Sequence, residues 1–236
     1  MSRQILDQGL KDQAIDLDLN YQDFEKFYKL LKAGNEKTDL TNIIEEEEAY
    51  IKHFLDSLCL FKVAEFYEEK KLVDIGTGAG FPGLPLKLAN PNLDITLLDS
   101  LKKRLNFLDS VIDQMDLKNI HTIHMRGEDA GKDPKMRESF DLATSRAVSR
   151  LNILVELALP LVKPGGLFVA MKGKNVDQEV QEAEKAIKTL GGSLKEVIKF
   201  NLTKDDNQRA LVVIEKVKAS PKKYPRAYGQ IKKRPL

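Results

Sequence analysis

Apolar positions in the first third of the chain recur at helical spacing. Tyr21, Phe24, Phe27, Tyr28 and Leu31 form one such stripe, and Ile51, Phe54, Leu55 and Leu58 form a second. A polar break, Ala33 to Thr38, separates them. From residue 71 the pattern changes. Short apolar runs at Leu72–Ile75, Leu93–Leu98, Ile120–Met125, Phe140–Ala143 and Leu167–Met171 read as strands. Helical stretches at Leu101–Ile112, Leu151–Leu161 and Val176–Leu190 lie between or after them. Alternation of this kind predicts a mostly parallel sheet with helices on both faces. The last two strand segments, Ser193–Asn201 and Ala210–Val217, are joined only by a short polar loop, which predicts an antiparallel hairpin at the sheet edge. The predicted organisation is a helical extension over residues 1–66, an α/β domain over 67–218 and a tail over 219–236.

Charge adds the tail to this picture. The 236 residues carry a net charge of only +2, yet Lys216 to Leu236 hold eight Lys/Arg and no Asp/Glu. The remainder holds 30 basic and 36 acidic residues, a net of −6. By composition the tail reads either as a solvated segment or as an arm for a polyanion. Tyr224 and Tyr228 interleaved with Lys222, Lys223 and Arg226 suit phosphate contacts with base stacking. No apolar run reaches membrane-spanning length, and the N-terminus lacks the apolar core of a secretory signal. With Cys59 the sole cysteine, an internal disulfide is excluded and a cytoplasmic location fits. Glu45 to Glu48 complement the positive end of a helix dipole. His121 and His124 have no cysteine or acid at ligand spacing, so no metal site is expected.

The densest chemical signal is Val73-Asp74-Ile75-Gly76-Thr77-Gly78-Ala79-Gly80-Phe81-Pro82-Gly83, between the first strand and a helical stretch. Glycines there let the backbone turn tightly and approach a ligand. Gly78 to Gly83 formally matches G-x-G-x-x-G, which alone would suit a nicotinamide or flavin enzyme. Asp74 argues against that, because a carboxylate beside a pyrophosphate is unwelcome. The ammonium and sulfonium of S-adenosylmethionine would welcome it. Asp99, ending the second strand, is placed for ribose hydroxyls of either cofactor. Gly127 and Glu128, after the third strand, are candidates for an adenine, against the alternative of an ordinary loop acid. Arg146, after the fourth strand, is placed to meet a cofactor carboxylate or an RNA phosphate. Lys172 and Lys174, just past the fifth strand, are candidates for substrate contact, as are Lys222, Lys223 and Arg226 in the tail.

Taken together these motifs resemble the bacterial small-subunit rRNA guanine-N7 methyltransferase G family, also called glucose-inhibited division protein B. The likeness runs over nearly the whole chain. It is carried by Lys37-Thr38-Asp39-Leu40-Thr41-Asn42-Ile43, His53 to Leu58, Asp74 to Gly83, Leu97-Leu98-Asp99-Ser100, Ser145-Arg146-Ala147 and Tyr224-Pro225-Arg226. Two departures fall outside the glycine loop: Thr38-Asp39 precedes Leu40 where the family has asparagine, and Arg226-Ala227-Tyr228-Gly229 replaces R-K-P-G. The resemblance implies a Rossmann-like class I S-adenosylmethionine-dependent methyltransferase fold. It also implies a cofactor site at Gly76, Phe81, Gly127, Glu128 and Arg146, and ribosomal RNA within the small subunit as the partner. No stable protein partner is expected.

The residues present fit an acceptor that needs no deprotonation. No Asn/Asp-Pro-Pro-Tyr segment follows the fourth strand, and Cys59 lies in the helical extension, where packing is its simplest role. Guanine N7 carries an exposed lone pair and no proton, so no general base is expected. Three other readings stay open at this level: a methyltransferase of small molecules, a nicotinamide oxidoreductase, and an RNA-binding module without catalysis.

Overall fold

Strand β1 (Lys71–Ile75) lies third in a seven-stranded sheet of order β3-β2-β1-β4-β5-β7-β6. The other strands are β2 (Asp94–Asp99), β3 (Ile120–His124), β4 (Phe140–Arg146), β5 (Val162–Lys172), β6 (Gly192–Asn201) and β7 (Gln208–Lys216). The first five pair in parallel, while β7 runs antiparallel between β5 and β6. The structure, a computed structural model, describes residues 2–203 and 208–236. The polar loop expected between the hairpin strands falls largely on residues 204–207, outside the described residues.

Because β1 pairs with β2 on one side and β4 on the other, the strand order reverses there, and a crevice opens at the C-terminal strand ends. Alternation of side chains along the strands then assigns two cores. Leu72, Leu97 and Leu142 face the N-terminal helices together with α5 (Gly83–Ala89) and α6 (Lys102–Gln114). Val73, Ile75 and Ala143 face α8 (Leu151–Ala158) and α9 (Val176–Thr189).

The N-terminal region comprises α1 (Ser2–Asp12), α2 (Tyr21–Asn35), α3 (Glu46–Ala49) and α4 (Asp56–Leu58), with a π-helical turn over Tyr50–Leu55 joining the last two. Its helices follow the expected stripes and bury Phe24, Phe27, Leu31 and Phe54. Phe81 of the glycine loop packs among them, with ring centroids 5.4 Å from Phe27 and 5.8 Å from Phe54. The extension therefore shares a core with the sheet. Cys59 is buried in it, and burial pushes its thiol well above the ordinary range, so it packs as an apolar group.

The tail is not a free arm. Ile231, in α10 (Tyr228–Lys233), is fully buried against Ile153 and Leu157 of α8, and Tyr224 is buried as well. Arg226 donates from Nε and Nη2 to Glu156 at 2.8 and 2.6 Å, and its backbone N–H adds a third bond at 2.9 Å. Arg137 donates to the carbonyls of Tyr224 and Ser220, both at 2.8 Å. Lys216, counted among the basic residues of this region, is buried and paired with Glu138. Among the described residues no helix is long and apolar enough to cross a membrane.

Glu156 is completely buried, so removing its partner strands a charge. Arg226→Ala is expected to cost about 3 kcal/mol in urea unfolding. The double variant Arg226→Ala/Glu156→Ala should lose less than the sum of the single changes, because the two residues act as one unit. An Arg226→Ala variant within about 0.5 kcal/mol of wild type would place this pair among indifferent surface contacts.

Candidate active site

Four successive strand ends converge on one cavity of about 570 Å³. Gly76, Gly78 and Phe81 line it from the turn after β1, and Asp99 from the end of β2. Gly127 and Glu128 line it from α7 (Gly127–Ala130), and Arg146 from β4. These seven residues, scattered over the sequence, are thus neighbours around a single space.

The turn is held by backbone bonds to the neighbouring strand. Gly76 N–H and Thr77 N–H both donate to the Leu98 carbonyl, at 2.8 and 3.1 Å. Gly76 and Gly78 adopt φ of +70° and +60°, a conformation costly for other residues. At Gly78 the space a Cβ would take is open, which leaves the backbone free to approach a ligand. Asp99 accepts from Gly78 N–H at 2.9 Å through one oxygen and from Leu101 N–H at 2.8 Å through the other. The carboxylate is thereby fixed at the rim of the cavity, and further lone pairs on its oxygens remain for donors.

Asp74, expected from the sequence to contact the cofactor, does not line this cavity. It shares a strand face with Leu72, so its side chain turns beneath the glycine loop. There one oxygen accepts from Thr77 Oγ1 at 2.7 Å and from Gly83 N–H at 2.9 Å, bracing both ends of the turn. The other oxygen is buried without a partner among the described residues. Burial raises its pKa from 3.8 to about 6, against the lowering effect of the two hydrogen bonds and of Arg146. Gly80 likewise faces inward, against Leu84 and Leu108, rather than the cavity.

Arg146 reaches the cavity wall with its guanidinium already engaged. It donates to the Lys52 carbonyl at 2.9 Å and pairs with Asp56 at 3.1 Å, and its Cζ lies 5.2 Å from the centre of the Phe81 ring. Its second amino group lies 3.3 Å from His53 Nδ1. A guanidinium can only donate, so Nδ1 accepts and the ring proton sits on Nε2, which donates to Thr41 Oγ1 at 2.9 Å. The His53 ring stacks on Phe81 at 4.4 Å, and burial with the adjacent Arg146 lowers its pKa to about 3.

Other candidate residues fall elsewhere. Lys172 pairs with Glu179 at 2.7 Å and donates to the Ser149 carbonyl, so it is spent inside the fold rather than offered to a substrate. Arg226 is committed to Glu156. Lys174, Lys222 and Lys223 are exposed and do not line the cavity. Among the described residues no cluster suited to a metal ion occurs; His121 and His124 bond to Thr96 Oγ1 and the Ser100 carbonyl. Sequence reasoning missed Thr41, His53, Arg126, Val148 and Tyr228 as wall residues. Thr41 and His53 did stand in segments that carried the family likeness, which was the only signal available for them.

The model of the rRNA small subunit methyltransferase G family matches residues 20–212. The chain belongs to this family. Ribosomal RNA small subunit methyltransferase G of Clostridium beijerinckii is 50% identical over 227 residues, covering 95% of each chain. The protein of that name from Thermoanaerobacter sp. is 46% identical, covering all of this chain and 98% of its own. Among solved structures, an S-adenosylmethionine-dependent methyltransferase from Aquifex aeolicus superposes with a TM-score of 0.55 at 19% identity, over 72% of this chain and 93% of that one. That likeness is one of fold, and it agrees with the mostly parallel sheet and antiparallel edge expected from the sequence.

Two pH effects follow from this site. A buried acid with a raised pKa binds more protons folded than unfolded, so its contribution to stability is full below 3.8 and is lost as pH rises through about 6. Asp74→Asn should therefore gain on wild type across that window, seen as diverging unfolding free energies in urea titrations; parallel curves would contradict the burial of its charge. His53, with its lowered pKa of about 3, should stay neutral under all mild conditions. Its ring resonances, assigned through His53→Gln, should not shift in NMR spectra between about pH 5 and 8, where a free histidine titrates.

Proposed function

We propose that the chain transfers the methyl group of S-adenosylmethionine to N7 of a guanine in small-subunit ribosomal RNA, acting in the cytoplasm on RNA within the small subunit and without a stable protein partner. The observation that carries the cofactor half is the open Gly78 backbone beside the fixed Asp99 carboxylate, at the strand-order reversal. Family membership carries the RNA half.

The residues present fit this cofactor. Asp99 would accept from the ribose hydroxyls, and Glu128 from the adenine amine. Gly78 leaves room for the methionine backbone beside the turn. When bound, the cofactor supplies a methyl group on a positively charged sulfur, open to attack by a lone pair. The protein's part is positioning and exclusion of bulk water. Asp74 acts through the loop it braces, by setting where Gly76 to Phe81 lie. His53 has both ring nitrogens engaged and stays neutral, which suits a wall residue and not a proton acceptor. N7 has no proton to give up, so a site without a free base is adequate for it.

Small ribosomal subunits from a strain lacking this activity, incubated with the protein and methyl-labelled S-adenosylmethionine, should yield 7-methylguanosine on nucleoside analysis. Asp99→Ala should reduce cofactor affinity by about tenfold or more, since it removes the ribose acceptor and releases the turn. Label in another nucleoside would overturn the N7 assignment, and unchanged affinity in Asp99→Ala would overturn the pocket assignment.

A further inference from the structure

The candidate cavity has a wall residue from the far end of the chain. Tyr228, the first residue of α10, lines it alongside residues of the glycine loop and of α7. Its position is secured rather than incidental. Two residues earlier, Arg226 grips the fully buried Glu156; three residues later, Ile231 is wholly buried against Ile153 and Leu157. Tyr228 packs against that same small cluster.

The cluster also fixes which end of the cavity Tyr228 occupies. Leu157 lines the cavity too, and its Cβ lies 3.5 Å from where a side chain on Gly127 would begin. Tyr228 is therefore on the Gly127–Glu128 side of the cavity. Its ring is only half-buried, and its hydroxyl makes no hydrogen bond among the described residues. A phenol ring, a glutamate and aliphatic side chains around one end of a cavity match a flat heteroaromatic ring carrying an exocyclic amine.

On the reading of the cavity as a S-adenosylmethionine site, we infer that Tyr228 is the outer wall of the adenine subsite and stacks on the purine. The C-terminal tail is then part of the cofactor pocket, and its sequence matters for cofactor affinity independently of any role in RNA contact. Tyr228 is a binding residue and takes no part in proton or methyl transfer.

The test uses the full chain and S-adenosylhomocysteine as probe. By calorimetry, Tyr228→Leu, which keeps an apolar group on Leu157 and Ile231, should weaken binding about tenfold, as expected for loss of one base–aromatic stack. Tyr228→Phe should bind within about twofold of wild type, because the ring and not the hydroxyl makes the contact. The chain has no tryptophan, so Tyr228→Trp creates a single fluorophore at this position. Its emission should change on saturation with S-adenosylhomocysteine and should not respond to methionine alone. Wild-type affinity in Tyr228→Leu, or a tryptophan indifferent to the nucleoside ligand, overturns the inference while leaving the cofactor reading intact. Failure of the wild-type chain to bind S-adenosylhomocysteine would overturn the reading of the cavity itself. Should Tyr228→Leu fold poorly, the tryptophan variant, which retains an aromatic ring, still decides.

Discussion

Asp56 holds the N-terminal helices to the sheet at the place where the cavity forms. One of its oxygens takes Arg146 from β4 at 3.1 Å, and the other takes Arg209 from β7 at 3.0 Å. The carboxylate itself is almost wholly buried, so the two guanidinium groups are its compensation for lost water. Together with the shared aromatic core, this tie sets the extension's side of the cavity. Arg146 in turn fixes the tautomer of His53, and His53 stacks on Phe81 of the glycine loop. The helical extension thereby contributes a wall of the cavity.

Against that wall, the turn after β1 is braced by a carboxylate that does not line the cavity. Asp74 accepts from Thr77 and Gly83 across the loop, and Asp99 accepts from Gly78 at its crest. The two acids divide the work: one shapes the loop from below at the cost of a buried charge, the other faces the cavity. A site of this kind is preorganised by the fold, in keeping with chemistry in which orientation matters more than proton transfer.

The sheet was legible in the sequence because its central strands are buried on both faces and read as short apolar runs broken by turns. The seven cavity residues were legible because they end strands or begin helices on one edge, where a parallel sheet binds ligands. Asp74's place beneath the loop follows from strand parity: an acid two residues after Leu72 shares its face. The intramolecular partners of Lys172 and Arg226 were hidden for a different reason. Their partners, Glu179 and Glu156, come from other elements, in the second case 70 residues away, and no local pattern announces such pairs. Composition made the tail look solvated, since Ile231 and Tyr224 are few among many lysines. Their burial depends on a groove on α8 that exists only once the sheet has formed. The π-helical turn at Tyr50–Leu55 has no comparable sequence signal.

The cavity draws its walls from Leu40 at one extreme and Tyr228 at the other, so its completion has a place in time as well as in space. During synthesis the N-terminal helices and the parallel strands emerge first, and the sheet can assemble around β1 before the hairpin and tail are available. A nascent chain halted short of Tyr228 would have the glycine turn and both acids in hand but a pocket open along the α7–α8 flank. Closure of that flank thus waits on residues that follow the whole sheet in the chain.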